Sequence, residues 1–302
     1  MSLATKYRPK FLKDFLGNEE VTKALRSMME REEIPHTILF TGPSGCGKTT
    51  LARIVAARLK CSQYDFTENN AADFRGIDSV RDILRQMSLS PMNGPCRVWL
   101  LDECHALTKD AQAALLKALE DPPPHVYFLL ATTDPEKLLP TIKTRCVTFD
   151  VKPLSDDNMT RLLTSIIVNE QGDPLPREVY DQIVQDSLGS ARMALSILDR
   201  IINMSPEDML EAAKQSAAQY NESIDLCRAL IGKKSWKEVA KIIQGIQQDP
   251  ESVRRAVLGY ASAVLLKSGQ GQAFVVLDSF SKDFFTTGKA GLVMASYLAI
   301  NG

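Results

Sequence analysis

Residues 42–49 read Gly-Pro-Ser-Gly-Cys-Gly-Lys-Thr, set between a short apolar run at 37–41 and a stretch from Thr50 to Leu59 with apolar residues at helical spacing. Few folds accept that succession of strand, glycine-rich loop and helix. Gly42, Gly45 and Gly47 let the loop curl through left-handed backbone conformations at no steric cost. The curl turns successive backbone N–H groups inward, and the following helix adds its positive N-terminal end, so the loop is an anion cradle. At this spacing, GxxxxGK[ST], the lysine reaches the β- and γ-phosphates of a nucleotide and the last hydroxyl ligates Mg²⁺. Gly45, Cys46, Gly47, Lys48, Thr49 and Thr50 are therefore expected to hold a nucleoside triphosphate, with Thr49 on the metal.

The elements around the loop set the fold class. Helical patterns at 21–30, 50–59, 79–87 and 109–119 alternate with apolar strands at 37–41, 97–101, 126–131 and 146–151. Pro122-Pro-Pro124 stops the fourth helix, since proline cannot continue the hydrogen-bond ladder. Strands alternating with helices predict an α/β fold with a parallel sheet between helical layers. Beyond Pro153 strand signals cease. Ser155 is placed to cap a helix through Val168, and further helices are expected at 176–187 and 189–203. Ser205-Pro206-Glu207 opens another helix. Ser235-Trp-Lys-Glu238 is a capping-box pattern, and the chain reads as helical from there to Gly302, broken at Gly269 and Gly271. The expected domains are 1–153, a parallel-sheet domain; 154–204, a small helical domain; and 205–302, an all-α bundle.

Arg97-Val-Trp-Leu-Leu-Asp102-Glu103 is an apolar strand ending in two carboxylates. At the carboxyl end of a parallel strand beside a phosphate loop, Asp102 is placed to hold Mg²⁺, and Glu103 to orient and polarise an attacking water. The pair points to hydrolysis, with Lys48, Asp102 and Glu103 as its centre.

Composition removes other classes. The formal net charge is −1 over 302 residues, which argues against a generally basic nucleic-acid coat. No apolar run is long enough to span a bilayer, and no membrane role is expected. Six cysteines are scattered without a CxxC pair, which fits reduced thiols in an intracellular compartment. His36, His105 and His125 are too dispersed for a metal site; His105 is expected simply to pack. Trp99 and Trp236 read as core or interface residues.

In order along the chain, Lys6-Tyr-Arg-Pro9, the loop at 42–49, Asp102-Glu-Cys-His105, Ala131-Thr-Thr-Asp134, Thr144-Arg-Cys146 and Gly189-Ser-Ala-Arg192 resemble an AAA+ clamp-loader ATPase subunit. The segments 68–78 and 107–115 resemble replication factor C small subunits, while 126–135 is closer to the bacterial gamma/tau loader subunit. The bacterial subunit's zinc-binding cysteine cluster has no counterpart here. The resemblance spans roughly residues 4–204.

It implies an AAA+ sheet domain, a helical lid and an all-α collar that joins subunits. The implied function is ATP hydrolysis that opens a sliding clamp and loads it on primer–template DNA in replication, with ATP and Mg²⁺ bound, in a pentameric assembly. Another AAA+ DNA motor and a non-hydrolysing scaffold subunit are the alternatives. Tyr7, Arg8 and Pro9 would form part of the adenine pocket, and Thr132 would be sensor 1, the alternative being an ordinary strand threonine. Arg145 would be the arginine finger acting on a neighbour's ATP, with Thr144 standing where the family has serine. Arg192 would contact the γ-phosphate from the lid. Arg75, Arg81, Arg85 and Lys109 would track DNA phosphates; the alternative is a solvated basic face paired with Asp78 and Asp82. Met87 and Leu89 are either core or part of the clamp grip. A cytoplasmic or nuclear protein is implied, of cellular or viral origin.

Overall fold

The computed structural model describes residues 1–170, 174–220 and 222–301; Gly302, the last residue of the expected helical run, lies outside them. The chain forms two compact units: Thr5–Asn158, and Met159 onward together with Met1–Ala4.

The first unit is built on five parallel strands, β1 (Thr37–Thr41), β2 (Phe66–Asn70), β3 (Arg97–Asp102), β4 (Val126–Thr132) and β5 (Val147–Asp150), in the order β2-β3-β4-β1-β5. α1 (Leu3–Lys6) crosses the unit boundary at Thr5; before and between the strands run α2 (Glu19–Glu30), α3 (Lys48–Arg58), α4 (Ile77–Met87), α5 (Lys109–Glu120) and α6 (Pro140–Arg145). Successive strand residues face opposite sides of the sheet, and both faces are dry. Ile38 and Phe40 pack with Leu25, Leu51 and Val55 on one side. Leu39 packs with Val80, Trp99 and Leu115 on the other. That double burial explains the unbroken apolar runs of β1, β3 and β4.

β2 was not expected. Its sequence, Phe-Thr-Glu-Asn-Asn, lacks an apolar run because it is an edge strand, paired only to β3 and partly open to solvent. Backbone pairing, from Phe66 opposite Val98 to Asn70 opposite Asp102, makes it a strand.

The second unit is helical among its described residues: α7 (Asp156–Asn169), which starts at the boundary, then α8 (Arg177–Ser187), α9 (Ala191–Ile201), α10 (Pro206–Tyr220), α11 (Glu222–Ile231), α12 (Trp236–Gly245), α13 (Pro250–Ser268), α14 (Gly271–Ser279) and α15 (Gly288–Asn301). The expected starts are present. Ser155 Oγ accepts from Asn158 N at 3.4 Å, and Ser235 and Glu238 form the reciprocal capping box. Gly269 ends α13 in the left-handed conformation, φ 65°. Leu226, Val239, Val257, Phe280 and Leu292 belong to its main core.

Among the described residues of this unit, a buried polar cluster joins two helices. Arg228 of α11 pairs with Asp186 of α8, Gln182 Nε2 donates to the same carboxylate at 2.8 Å, and Arg228 Nη1 donates to Lys214 O at 2.9 Å. Burial pushes the Asp186 carboxyl above its usual range, against the pull of Arg228.

Candidate nucleotide-hydrolysis site

All five strands run the same way, so their carboxyl ends share one edge of the sheet, and the glycine loop leaves β1 there. Gly42, Gly45 and Gly47 hold φ of 136°, 76° and 105°. A Cβ on Gly42 would sit 2.1 Å from Val151 O, and one on Gly47 would sit 2.7 Å from the Phe15 ring. The loop thus requires glycine for backbone reasons and also because neighbours crowd it. Phe15, beneath Gly47, is a part of the site that sequence reasoning missed. Cys46 is buried, donates its thiol hydrogen to Pro43 O at 2.9 Å, and has its pKa raised by burial despite Lys48 nearby. It is a structural residue.

Lys48 is 5% exposed, and its Nζ donates to Gly42 O and Pro43 O, both at 2.8 Å. Two of three ammonium donors are held within the loop. Thr49 Oγ1 donates to Asp102 Oδ2 at 2.8 Å, so the two expected metal ligands touch. Asp102 Oδ1 accepts from Glu103 N at 2.9 Å, where the chain turns through φ 49° at the end of β3.

The next strand end completes a network. Thr132, fully buried, lies opposite Thr41 in the register of β4 with β1. Its Oγ1 accepts from Asp134 N at 3.1 Å. Glu103 Oε2 accepts from Thr133 Oγ1 at 2.8 Å and from Thr133 N at 3.2 Å. His105 Nδ1 stands 3.0 Å from Thr132 Oγ1 and 3.3 Å from Glu103 Oε2. His105, expected only to pack, therefore bridges two site residues, and Thr133 joins them. Their adjacency to the acidic pair and to Thr132 in sequence was the available signal.

Arg145 lies elsewhere. Thr37 Oγ1 donates to Arg145 O at 2.7 Å, which fixes Arg145 where β1 and β5 begin, at the edge of the sheet opposite the glycine loop. The four steps of β1 alone span about 13 Å. The Arg145 guanidinium donates to Glu120 Oε1 at 3.1 Å and to Thr141 O at 3.2 Å. Tyr7, Arg8 and Pro9 are half-buried just after α1, with Lys6 Nζ 5.4 Å from the Tyr7 ring centroid. Arg192 is exposed in the second unit, at the second position of α9, behind the Ser190 cap.

The expected DNA face is mixed. Arg81 and Arg85 pair with Asp78 and Asp82, each at 2.9 Å, on the exposed side of α4. The solvated-pair alternative describes these two. Exposed pairs of this kind contribute roughly 0.2–1 kcal/mol. Arg75 Nε donates to Ala72 O at 2.9 Å, and Thr108 N donates to Arg75 O at 3.0 Å, bringing Arg75 beside Lys109 at the start of α5. Met87 is half-buried against the core, whereas Leu89 is 58% exposed and Met92 77% exposed, so Leu89 is not core. Trp99 stacks on Phe128 in the core, and Trp236 packs edge-on against Tyr297.

Among the described residues no group of His, Cys, Asp and Glu could form a metal cluster, and no helix is long and apolar enough to cross a membrane.

Residues 67–155 match a family model described as DNA polymerase III, delta subunit. The chain is 35% identical over 225 residues to the DNA polymerase III subunit gamma/tau of Mycobacterium tuberculosis, covering 67% of this chain and 39% of that protein. It is 36% identical over 221 residues to the subunit tau of Escherichia coli, covering 66% and 34%. The chain thus spans well under half the length of these relatives. They are bacterial, and a viral origin finds no support in them. The Holliday junction branch migration motor RuvB of Thermotoga maritima has the same fold, with a TM-score of 0.61 at 21% identity over 83% of this chain and 85% of that one.

Proposed function

We propose, from the premise that this chain belongs to the bacterial-type AAA+ clamp-loader subunits, that it hydrolyses ATP to open a sliding clamp and close it around primer–template DNA. Residues 1–153 are the ATPase domain, 154–204 the lid and 205–302 the collar through which subunits join, in a pentamer.

The contact between Thr49 Oγ1 and Asp102 Oδ2 carries this reading. A hydroxyl and a carboxylate in touch beside a glycine cradle are the hard oxygen ligands that Mg²⁺ prefers. The ion, when bound, neutralises phosphate charge. The loop amides of Gly45, Cys46, Gly47, Lys48, Thr49 and Thr50 orient the phosphates, and Lys48 turns from its own loop carbonyls toward them. Glu103 accepts its hydrogen bonds here on Oε2, which leaves Oε1 to orient a water. Thr132 and Arg192 read the γ-phosphate from the strand and from the lid, and Tyr7, Arg8 and Pro9 border the base.

Arg145 supports the oligomer. Held at the edge of the sheet away from its own loop, it serves a neighbouring subunit's nucleotide, where a guanidinium stabilises charge developing in phosphoryl transfer. Arg75, Arg81, Arg85 and Lys109 give sequence-independent phosphate contacts, and exposed Leu89 and Met92 face the clamp.

The fold shared with a branch-migration motor supports a second reading, another AAA+ DNA motor. A scaffold role is disfavoured by the intact Lys48, Thr49, Asp102 and Glu103. With partner subunits present, wild type should show ATPase activity stimulated by clamp and primed DNA, and Lys48→Ala should abolish it. Stimulation by branched DNA with no response to clamp would favour the second reading. Hydrolysis unchanged by Lys48→Ala would leave the scaffold.

A further inference from the structure

Positive charge gathers at one place far along the sequence from the hydrolysis site. Residues 232–245 run Gly-Lys-Lys-Ser-Trp-Lys-Glu-Val-Ala-Lys-Ile-Ile-Gln-Gly, four lysines and one acid in a chain of net charge −1. Lys237 and Lys241 share one face of α12, with Lys234 just ahead of it, while Val239 and Ile243 point into the core. Lys233, Lys234, Lys237 and Lys241 are all exposed, and none forms an ion pair among the described residues. The arginines on α4, by contrast, each have an aspartate. The one acid in the run is occupied: Glu238 Oε2 accepts from Ser235 Oγ at 2.7 Å and from Ser235 N at 3.2 Å. Those bonds hold its carboxyl below the usual range, with a smaller pull from Lys234.

This arrangement does not serve the chain's own stability. Like charges at i, i+4 repel. Lys237 sits in the first turn of α12, where positive charge opposes the helix dipole. Lys233 holds φ 49°, a left-handed position that favours glycine. Trp236, the residue before Lys237, carries an aromatic contact. Tyr297 of α15 packs edge-on against Trp236, rings 5.0 Å apart, and is 49% exposed.

From this we infer that the face formed by Lys233, Lys234, Lys237, Lys241 and Tyr297 binds single-stranded DNA. The lysines neutralise phosphates as point charges, without reading bases. Tyr297 offers a ring on which a base stacks, the combination that single strands use. The exposed ring favours a nucleic acid over an acidic protein. This contact goes beyond the proposed clamp-loading surface and needs neither nucleotide nor clamp.

The test measures binding of a fluorescent oligo-dT to the full chain by anisotropy over a range of salt concentrations. Each phosphate neutralised on a single strand contributes about 0.7 to the slope of log K against log salt. The triple variant K234Q/K237Q/K241Q should flatten the slope by about 2 and weaken low-salt binding at least about tenfold. Y297A should weaken oligo-dT while leaving inorganic polyphosphate binding unchanged. These residues are exposed, so circular dichroism should show the fold intact. An unchanged slope in the triple variant overturns the inference. So does polyglutamate displacing oligo-dT as well as polyphosphate of equal charge, which would mark an acidic-protein surface. R81Q/R85Q reports separately on the clamp-loading surface, so either reading can fail alone.

Discussion

His105 Nδ1 stands 3.3 Å from Glu103 Oε2, and the same nitrogen is 3.0 Å from Thr132 Oγ1. The bond between Nδ1 and the Thr132 hydroxyl forms in either tautomer, with the ring nitrogen donating to the hydroxyl or accepting from it. The imidazole then ties the strand-end threonine to Glu103, the carboxylate proposed to orient water. His105→Ala should slow ATP hydrolysis by about tenfold, through lost positioning, with ATP affinity nearly unchanged. His105→Gln should recover part of the rate. A raised KM for ATP at unchanged kcat would contradict this role.

Arg145 should show the opposite separation, between subunits. Its exposed pair with Glu120 holds little stability, so Arg145→Ala should melt like wild type and bind ATP normally. Turnover in the assembled state should fall by about 10³-fold, the scale of a lost arginine finger. Calorimetry and steady-state kinetics on one preparation check all three.

Much of this was legible in the sequence, and the failures share a cause. The glycine loop, Ser235 capping box and apolar β1, β3 and β4 are local signals, fixed by neighbours in sequence. β2 was missed because pairing with β3 makes it a strand, and no composition announces pairing. His105 and Thr133 were passed over because their roles come from two strand ends meeting. The exposure of Leu89 depends on what packs nearby, which spacing alone does not state.

The buried pair of Arg228 and Asp186 makes a prediction about folding. Arg228→Ala leaves a carboxylate buried without its cation and should destabilise the second unit by about 3–5 kcal/mol. R228M/D186N, which removes both charges, should recover much of that loss in urea melts. Equal losses in the single and double variants would show that the pair is not the cause.

Glu251 sets a pH dependence. Its carboxylate accepts from Arg254 at 2.7 and 2.8 Å and from Phe284 N at 2.9 Å, and these bonds, with Arg254 first, lower its pKa to about 2. A depressed folded-state value means stability present above the unfolded value, near 4.5, and lost as pH falls toward 2. The contribution is about 2 kcal/mol after allowance for partial solvent screening. Thermal melts between pH 5 and pH 2.5 should show a steeper loss for wild type than for Glu251→Gln.

The most direct test of the account is the steady-state rate of ATP hydrolysis, measured with partner subunits in the presence and absence of sliding clamp and primed DNA. The rate should rise when clamp and primed DNA are both present, and Lys48→Ala or Asp102→Ala should eliminate it. A rate indifferent to clamp and primed DNA, or surviving either substitution, would contradict it.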